Sequence, residues 1–412
     1  MNRRVFLATA ATGAAGLAAQ DGSTVPEAIR KLRPMLDGVQ PITDAERRAR
    51  MEKARRLMSQ HGIGAVVFEG GSSLFYFTGT RWPQGERTFA WVLPARGEPA
   101  WLVAQPDAAR AQTAIHMGGE VRVWENHDAF PKLAQLLKDR GAGARVGIEE
   151  RVRFAVFDSL RKQMPACEFV SADTVTAGCR MIKSPAEIAL LQRANDITIA
   201  AYRAAFTTLR EGMNQHELSA MIAAAYRALG VSGNAMTIFG KYTAFPHGSI
   251  EPQSLREGDL VLVDDGCSVE GYQSDITRTV IFGKPTARQV QVWNLERKAQ
   301  DAALAAARPG AACESVDAAA RGVITKAGFG PGYKVPGLPH RTGHGIGLDG
   351  HEWTYLVKGN RTPLEPGMCF SDEPTIAIYG EFGVRLEDCM YITEAGARMF
   401  TKQSPAIDQP FG

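Results

Sequence analysis

The sequence predicts an α/β (α+β) protein of two domains, and three observations carry that expectation. At 412 residues the chain is long enough for two ordinary hydrophobic cores. Its first half mixes short runs rich in Val, Phe, Tyr and Leu with helical stretches. Ser184-Pro185-Ala186-Glu187 then joins an N-cap serine, a proline suited to the first helical position and a glutamate able to reach back, so a long helix and a new domain start there.

Taken in order, residues 46–61 read as a helix, and 65–68, 74–77, 89–93 and 100–103 as strands, with a turn at 94–99. Helices are expected at 128–137 and 155–163. Past Ser184, Asn214 with Glu217 opens a helix that Gly230 ends, Thr286 opens one that stops before Pro309, and Ser315 begins one ending at Gly328. Runs 260–263 and 276–282 flank a turn at Gly271 and predict an antiparallel hairpin; 390–393 is a further strand before Gly396.

The N-terminus differs in kind. Asn2-Arg3-Arg4-Val5-Phe6-Leu7 precedes a stretch rich in Ala, Gly and Thr, the pattern of a twin-arginine export signal over 1–20, which places the mature protein in the periplasm. Residues 21–45 read as a linker, 46–183 as the N-terminal domain and 184–412 as the catalytic domain. No later segment has the roughly 20 unbroken apolar residues of a membrane span. A formal net charge of +3, without basic runs interleaved with aromatics, argues against a nucleic-acid partner. Six scattered cysteines define neither a zinc ribbon nor a disulfide framework and are expected as free, buried thiols.

The chemistry is carried by acids. Asp264 ends one apolar run and Asp275 starts the next, so the hairpin can bring their carboxylates together, and clustered anions repel unless a cation holds them. Asp372-Glu373 and Glu387-Asp388 also end apolar runs, and His344 lies in Gly343-His344-Gly345-Ile346-Gly347. Hard oxygen donors with one imidazole suit manganese, cobalt or zinc. In each adjacent pair, Asp264-Asp265, Asp372-Glu373 and Glu387-Asp388, strand geometry lets only one member face a shared cavity, and spacing alone does not say which.

The stretch Asp264-Asp265-Gly266 followed by Gly271-Tyr272-Gln273-Ser274-Asp275-Ile276-Thr277-Arg278-Thr279 resembles the metal hairpin of the aminopeptidase P, prolidase and creatinase superfamily, the pita-bread metallopeptidases. His340-Arg341-Thr342-Gly343-His344 with His351, Glu373-Pro374 and Arg385-Leu386-Glu387-Asp388 resemble its later motifs in order, and Tyr76-Phe77-Thr78-Gly79 echoes its N-terminal domain. The resemblance implies two divalent ions, manganese first, with Asp264 on one, His344 and Glu373 on the other, and Asp275 and Glu387 bridging. Glu373 would also accept a proton, while His247 and His351 would meet the substrate or the developing oxyanion; His340 is a further substrate-binding position. Arg385 would orient Glu387, meet a substrate carboxylate, or form an ordinary surface ion pair.

The substrate so implied is a small peptide cut between its first residue and proline, and the assembly a homodimer or homotetramer. Two other readings compete: hydrolysis of another small amide on the same fold, and a non-catalytic binding protein. One departure stands out, because Thr375 follows Glu373-Pro374 where the family has glycine. A turn needing positive φ there would be disfavoured by a β-branched residue, which bears on the pocket shape and on how strictly proline is required.

Overall fold

The computed structural model describes residues 25–411; the expected signal and the first residues of the expected linker lie outside the described residues. The rest of that linker is docked rather than free. Glu27–Arg30 forms a helical turn with Ile29 buried, and the Met35 amide donates to the Leu229 carbonyl of the second domain.

The N-terminal domain is a six-stranded mixed sheet. Its strands are β1 (Ala65–Phe68), β2 (Ala90–Pro94), β3 (Ala100–Ala104), β4 (Glu120–Trp124), β5 (Arg145–Ile148) and β6 (Glu168–Ser171), in the spatial order β4-β3-β2-β1-β5-β6. Side chains alternate across it. Val67, Val92 and Leu102 share one core with Leu133, Leu137 and Leu160 of the helices Ala129–Asp139 and Phe154–Gln163. Val66, Phe68 and Trp91 face the other way, onto a core containing Met51, Ala54 and Met58 of the helix Asp44–Gln60. Central strands buried on both faces explain why the sequence shows continuous apolar runs here.

One expected strand is a helix. Leu74–Phe77 lies within the helix Ser72–Thr78, closed by Gly79 at φ 71°. A run of four apolar residues has no periodicity to separate strand from buried helix, and the two flanking glycines mark its ends.

In the second domain the Ser184 capping box is complete, and Pro185–Phe206 is a helix. Asn214 and Thr286 cap their helices as expected, whereas the helix expected from Ser315 begins earlier, at Cys313. The helices lie over short antiparallel strands. Strands β7 (Met236–Phe239), β8 (Leu260–Asp264), β9 (Ser268–Val269), β10 (Tyr272–Gln273) and β11 (Arg278–Ile281) supply one sheet, β11-β8-β7, and the small β9-β10 hairpin at its end. Strands β12 (Gly343–Gly345), β13 (Glu352–Leu356), β14 (Cys369–Asp372), β15 (Thr375–Ile378), β16 (Phe382–Arg385), β17 (Asp388–Thr393) and β18 (Gly396–Met399) supply a second sheet, β13-β12-β14-β17-β18, and the separate pair β15-β16.

Buried ion pairs tie these layers together. Arg278 and Asp388 meet at 2.7 Å with both side chains fully buried, and the same guanidinium donates to the Glu387, Lys402 and Pro410 carbonyls. Arg278→Met is expected to cost about 3–5 kcal/mol, because it strands Asp388 without its cation. Denaturant unfolding of the metal-free protein measures this, and a loss below about 1 kcal/mol, the range of an exposed pair, would contradict it.

Candidate active site

Strand pairing delivers the acids. The β8-β11 hairpin sets Arg278 opposite Val263, so Asp264 at the end of β8 and Asp275 just ahead of β11 fall at one end of the sheet. The connection passes very close to itself, since a Cβ on Gly266 would lie 2.2 Å from the Ser274 carbonyl oxygen; only glycine fits. In the second sheet β14 pairs with β17 with Asp372 opposite Asp388, so the next residue of one strand and the preceding residue of the other, Glu373 and Glu387, emerge side by side. A bulge after His344 in β12 turns its ring toward them.

The five groups converge. His344 Nε2 lies 3.3 Å from Glu373, 3.6 Å from Asp275 and 4.0 Å from Glu387. Donor atoms of Asp264, Asp275 and Glu387 form a second group within 4.8 Å of one another. Two overlapping clusters therefore share Glu387, and Asp275 contacts both. The adjacent pairs resolve as strand geometry requires: Asp265 turns out to accept from the Met236 amide, and Asp388 turns to Arg278. Asp372 is fully buried with no partner for either carboxyl oxygen among the described residues, and burial with Asp388 opposite pushes its proton affinity well up.

Charge crowding decides the rest. Burial, followed by repulsion from the neighbouring acids, holds Asp275 and Glu387 well above the ordinary carboxylate range, and burial pushes Glu373 up to about 7. For Asp264 burial also raises proton affinity, but the Arg385 guanidinium and the Thr277 hydroxyl outweigh it and hold the group below its usual value. Arg385 is buried and each of its three nitrogens is engaged: it donates to Asp264, to Thr277 Oγ1 at 3.0 Å and to the Pro246 carbonyl at 3.0 Å. It is thus neither a surface ion pair nor the direct partner of Glu387. Thr277 lies between them, 2.6 Å from Asp264 and 2.7 Å from Glu387.

The histidines divide by their second nitrogen. His344 Nδ1 donates to the Gly345 carbonyl at 3.1 Å, which leaves the Nε2 lone pair aimed at the acids; burial lowers its proton affinity, to about 3. His351 is the reverse case. Its Nδ1 accepts from Arg341 at 3.0 Å, so the hydrogen sits on Nε2, and the ring becomes a donor although its atoms also come within 4.8 Å of Asp275 and His344. A cavity of about 510 Å³ opens beside this cluster, with His247, His340, Arg341, His351, Glu373 and Arg385 in its wall.

Thr375 does not sit in a strained turn. It opens β15 in extended conformation, and its hydroxyl donates to His340 Nε2 at 2.9 Å, while His340 Nδ1 donates to the Arg341 carbonyl at 2.7 Å. Three contributors went unread in the sequence: Thr277, Ser371 and Arg341. Thr277 is two residues from Asp275 and Ser371 two from Glu373, the same-face spacing of a strand, and Ser371 Oγ bridges the His344 amide and Glu373. Tyr272 is elsewhere, donating to Glu187 in the domain interface.

A buried group of acids with too few cations, one oriented imidazole and an adjoining cleft defines a metal-dependent hydrolase. The chain belongs to metallopeptidase family M24, whose model matches residues 189–394, and a creatinase/prolidase N-terminal domain matches 50–182. It is 31% identical to an Xaa-Pro dipeptidase of Lactobacillus delbrueckii subsp. lactis, over 87% of this chain and 98% of that one. A probable dipeptidase PepE of Mycobacterium tuberculosis is 36% identical over 86% of this chain and 94% of its own. Among solved structures, dipeptidase PepE from Mycobacterium ulcerans superposes with a TM-score of 0.82 at 33% identity, covering 88% of this chain and 97% of that one. A prolidase from Thermococcus sibiricus gives 0.78 at 29%, covering 86% and 96%. The expected two-domain α/β fold with a pita-bread catalytic domain is therefore the observed one.

The residues fit divalent ions: oxygen donors dominate, His344 offers an unprotonated nitrogen, and the raised proton affinities of Asp275, Glu373 and Glu387 mark crowded negative charge that cations would offset. Affinity for a divalent ion should accordingly fall as pH is lowered through about 7, where Glu373 takes a proton. Since the Glu373 proton affinity is raised, the competing proton is bound below that pH and gone above it. Calorimetry at pH 6 and 8 tests this; equal affinities at the two values would refute it.

Proposed function

We propose that this chain is a dinuclear metallopeptidase that hydrolyses the bond between an N-terminal residue and proline. The observation that carries the reading is the convergence of His344 Nε2 on Asp275, Glu373 and Glu387 within 4.0 Å in a chain of family M24. The names of its relatives, Xaa-Pro dipeptidase and prolidase, supply the substrate class. Asp264 would hold one ion, His344 and Glu373 the other, and Asp275 and Glu387 both, with manganese the first choice and cobalt or zinc compatible with the same donors. When bound, such a pair polarises a carbonyl and acidifies water.

The chain's own groups then complete the reaction. Glu373, at the cavity wall, accepts the proton of the attacking water and returns one to the departing proline nitrogen as the C–N bond breaks. His351, donating through Nε2, and His247 on the same wall face the carbonyl oxygen as it gains charge. Arg385 and Thr277 fix Asp264, so they position a ligand rather than touch substrate. Export by the twin-arginine pathway to the periplasm rests on Arg3-Arg4 and the small-residue stretch behind them, and a homodimer or homotetramer on the family resemblance alone.

Release of the first residue from Xaa-Pro and Xaa-Ala peptides with added manganese tests the reading. Xaa-Pro should be cut and Xaa-Ala left, and a chelator should stop the reaction. Equal rates on the two peptides would remove the proline requirement, and activity surviving chelation would remove the metal. Glu373→Ala is expected to lower kcat on the order of 10²–10⁴-fold, and near-normal turnover would refute its role.

A further inference from the structure

Arg81, Trp82 and Pro83 play no part in the chemistry above, yet they wall a second cavity. It has a volume of about 500 Å³ and lies between the domains, with Phe75, Arg81 and Arg110 on one side and Ser268, Gln273 and Leu348 on the other. No aspartate or glutamate is in its wall. Neither guanidinium makes an ion pair or a hydrogen bond among the described residues, whereas Arg151 and Arg180 are both paired with Asp349. Aromatic rings hold the two in place. Arg81 lies 3.9 Å from the Phe75 centroid and against the hairpin backbone, where a Cβ on Gly271 would come within 3.0 Å of its Nη2. Arg110 lies 4.6 Å from the centroid of Trp82, whose other face stacks on Phe89 with centroids 4.1 Å apart. Stacking occupies the face of a guanidinium and leaves its N–H edge free, so both forks are oriented and unspent.

We propose that this interdomain cavity binds a doubly charged tetrahedral oxyanion, free phosphate or the phosphate group of a small ester. Two positive charges share one cavity with no counter-charge, the converse of the acid cluster, and a dianion balances them. Each guanidinium can give it two parallel N–H donors, and Ser268 adds a hydroxyl with no other partner among the described residues. Pro83 and Leu348 supply an apolar edge for the organic part of an ester. Because the donors come from both domains, the bound ion ties one to the other. It does so beside the active site: the Gln273 amide donates to the Gly347 carbonyl at 2.8 Å, in the loop that leads to His351. The site needs neither the metal ions nor proline, so it stands apart from the hydrolytic reading.

Calorimetric titration of inorganic phosphate into the full chain tests this, at an ionic strength held with sodium chloride, once loaded with manganese and freed of the excess, and once after chelation. One site per chain is expected in both states, with Kd on the order of 0.1–1 mM. Arg81→Met and Arg110→Met should each weaken it about tenfold to a hundredfold, and Arg81→Lys and Arg110→Lys by less, since an ammonium keeps the charge and loses the fork. Both side chains are exposed, so the variants should melt with the wild type when phosphate is absent. Glycerol 2-phosphate separates the two sources: tighter binding than inorganic phosphate assigns the site to an ester, weaker binding to the free ion. Binding that the variants retain would overturn the proposal, as would binding that disappears on chelation, which would belong to the metal ions. No phosphate bound in either state would overturn it too, and variants that then sediment as a smaller species than the wild type would give the two arginines to a second copy of the chain.

Discussion

Like charges forced together out of water set the terms for this molecule. Asp264, Asp275, Glu373 and Glu387 come from two sheets into one buried cluster, and among the described residues a single guanidinium, that of Arg385, reaches it directly. Arg385 touches one anion, Asp264, and holds it down; at the other three its attraction is outweighed by burial and by their repulsion of one another, so their proton affinities stay raised. Two divalent cations would relieve that repulsion. The stability of this core and its capacity to bind metal are therefore the same electrostatic problem, solved with protons in one state and with metal in the other.

The N-terminal domain contributes to the solution although it brings no acid to the cluster. Glu352, next to His351, pairs with Arg180 at 2.5 Å and Lys183 at 2.7 Å, both from the segment joining the domains. Asp349 pairs with Arg180 at 2.7 Å and Arg151 at 3.0 Å and accepts from Ser72 at 2.6 Å. The loop that carries His351 is pinned from outside its own sheet. Room is made for it by Gly347, where a Cβ would lie 2.3 Å from the Glu352 carboxylate.

Much of this was legible in the sequence, and the gaps have physical causes. Helix starts were readable because caps are local: Ser184, Asn214 and Thr286 each hydrogen-bond an amide three residues on. The run 74–77 was misread because four apolar residues lack a period. Adjacent acids were ambiguous by spacing, since alternation says that one member faces the site without saying which; the cross-strand register of Asp372 with Asp388 makes that choice. For Arg385 the sequence leaves open whether it orients Glu387, meets a substrate carboxylate or forms a surface ion pair, because its partner Asp264 lies on the β8-β11 hairpin more than a hundred residues away, which the local motif does not contain. The expected strain at Thr375 rested on a turn, whereas the residue is extended and its hydroxyl does the work by holding His340.

The histidines show most clearly how identical side chains acquire different roles. His344 and His351 lie with ring centroids 3.8 Å apart, and either could by proximity alone be counted among the donors to a metal. What separates them is the partner of Nδ1. A backbone carbonyl takes the hydrogen of His344 and so exposes a lone pair on Nε2; a guanidinium gives a hydrogen to His351 and so exposes an N–H. The first can bind a cation and cannot donate to an oxyanion; the second can donate and cannot bind. Arg341 thereby sets the tautomer of His351 with one N–H, so a residue with no carboxylate partner among the described residues decides which hydrogen the edge of an acidic site can offer.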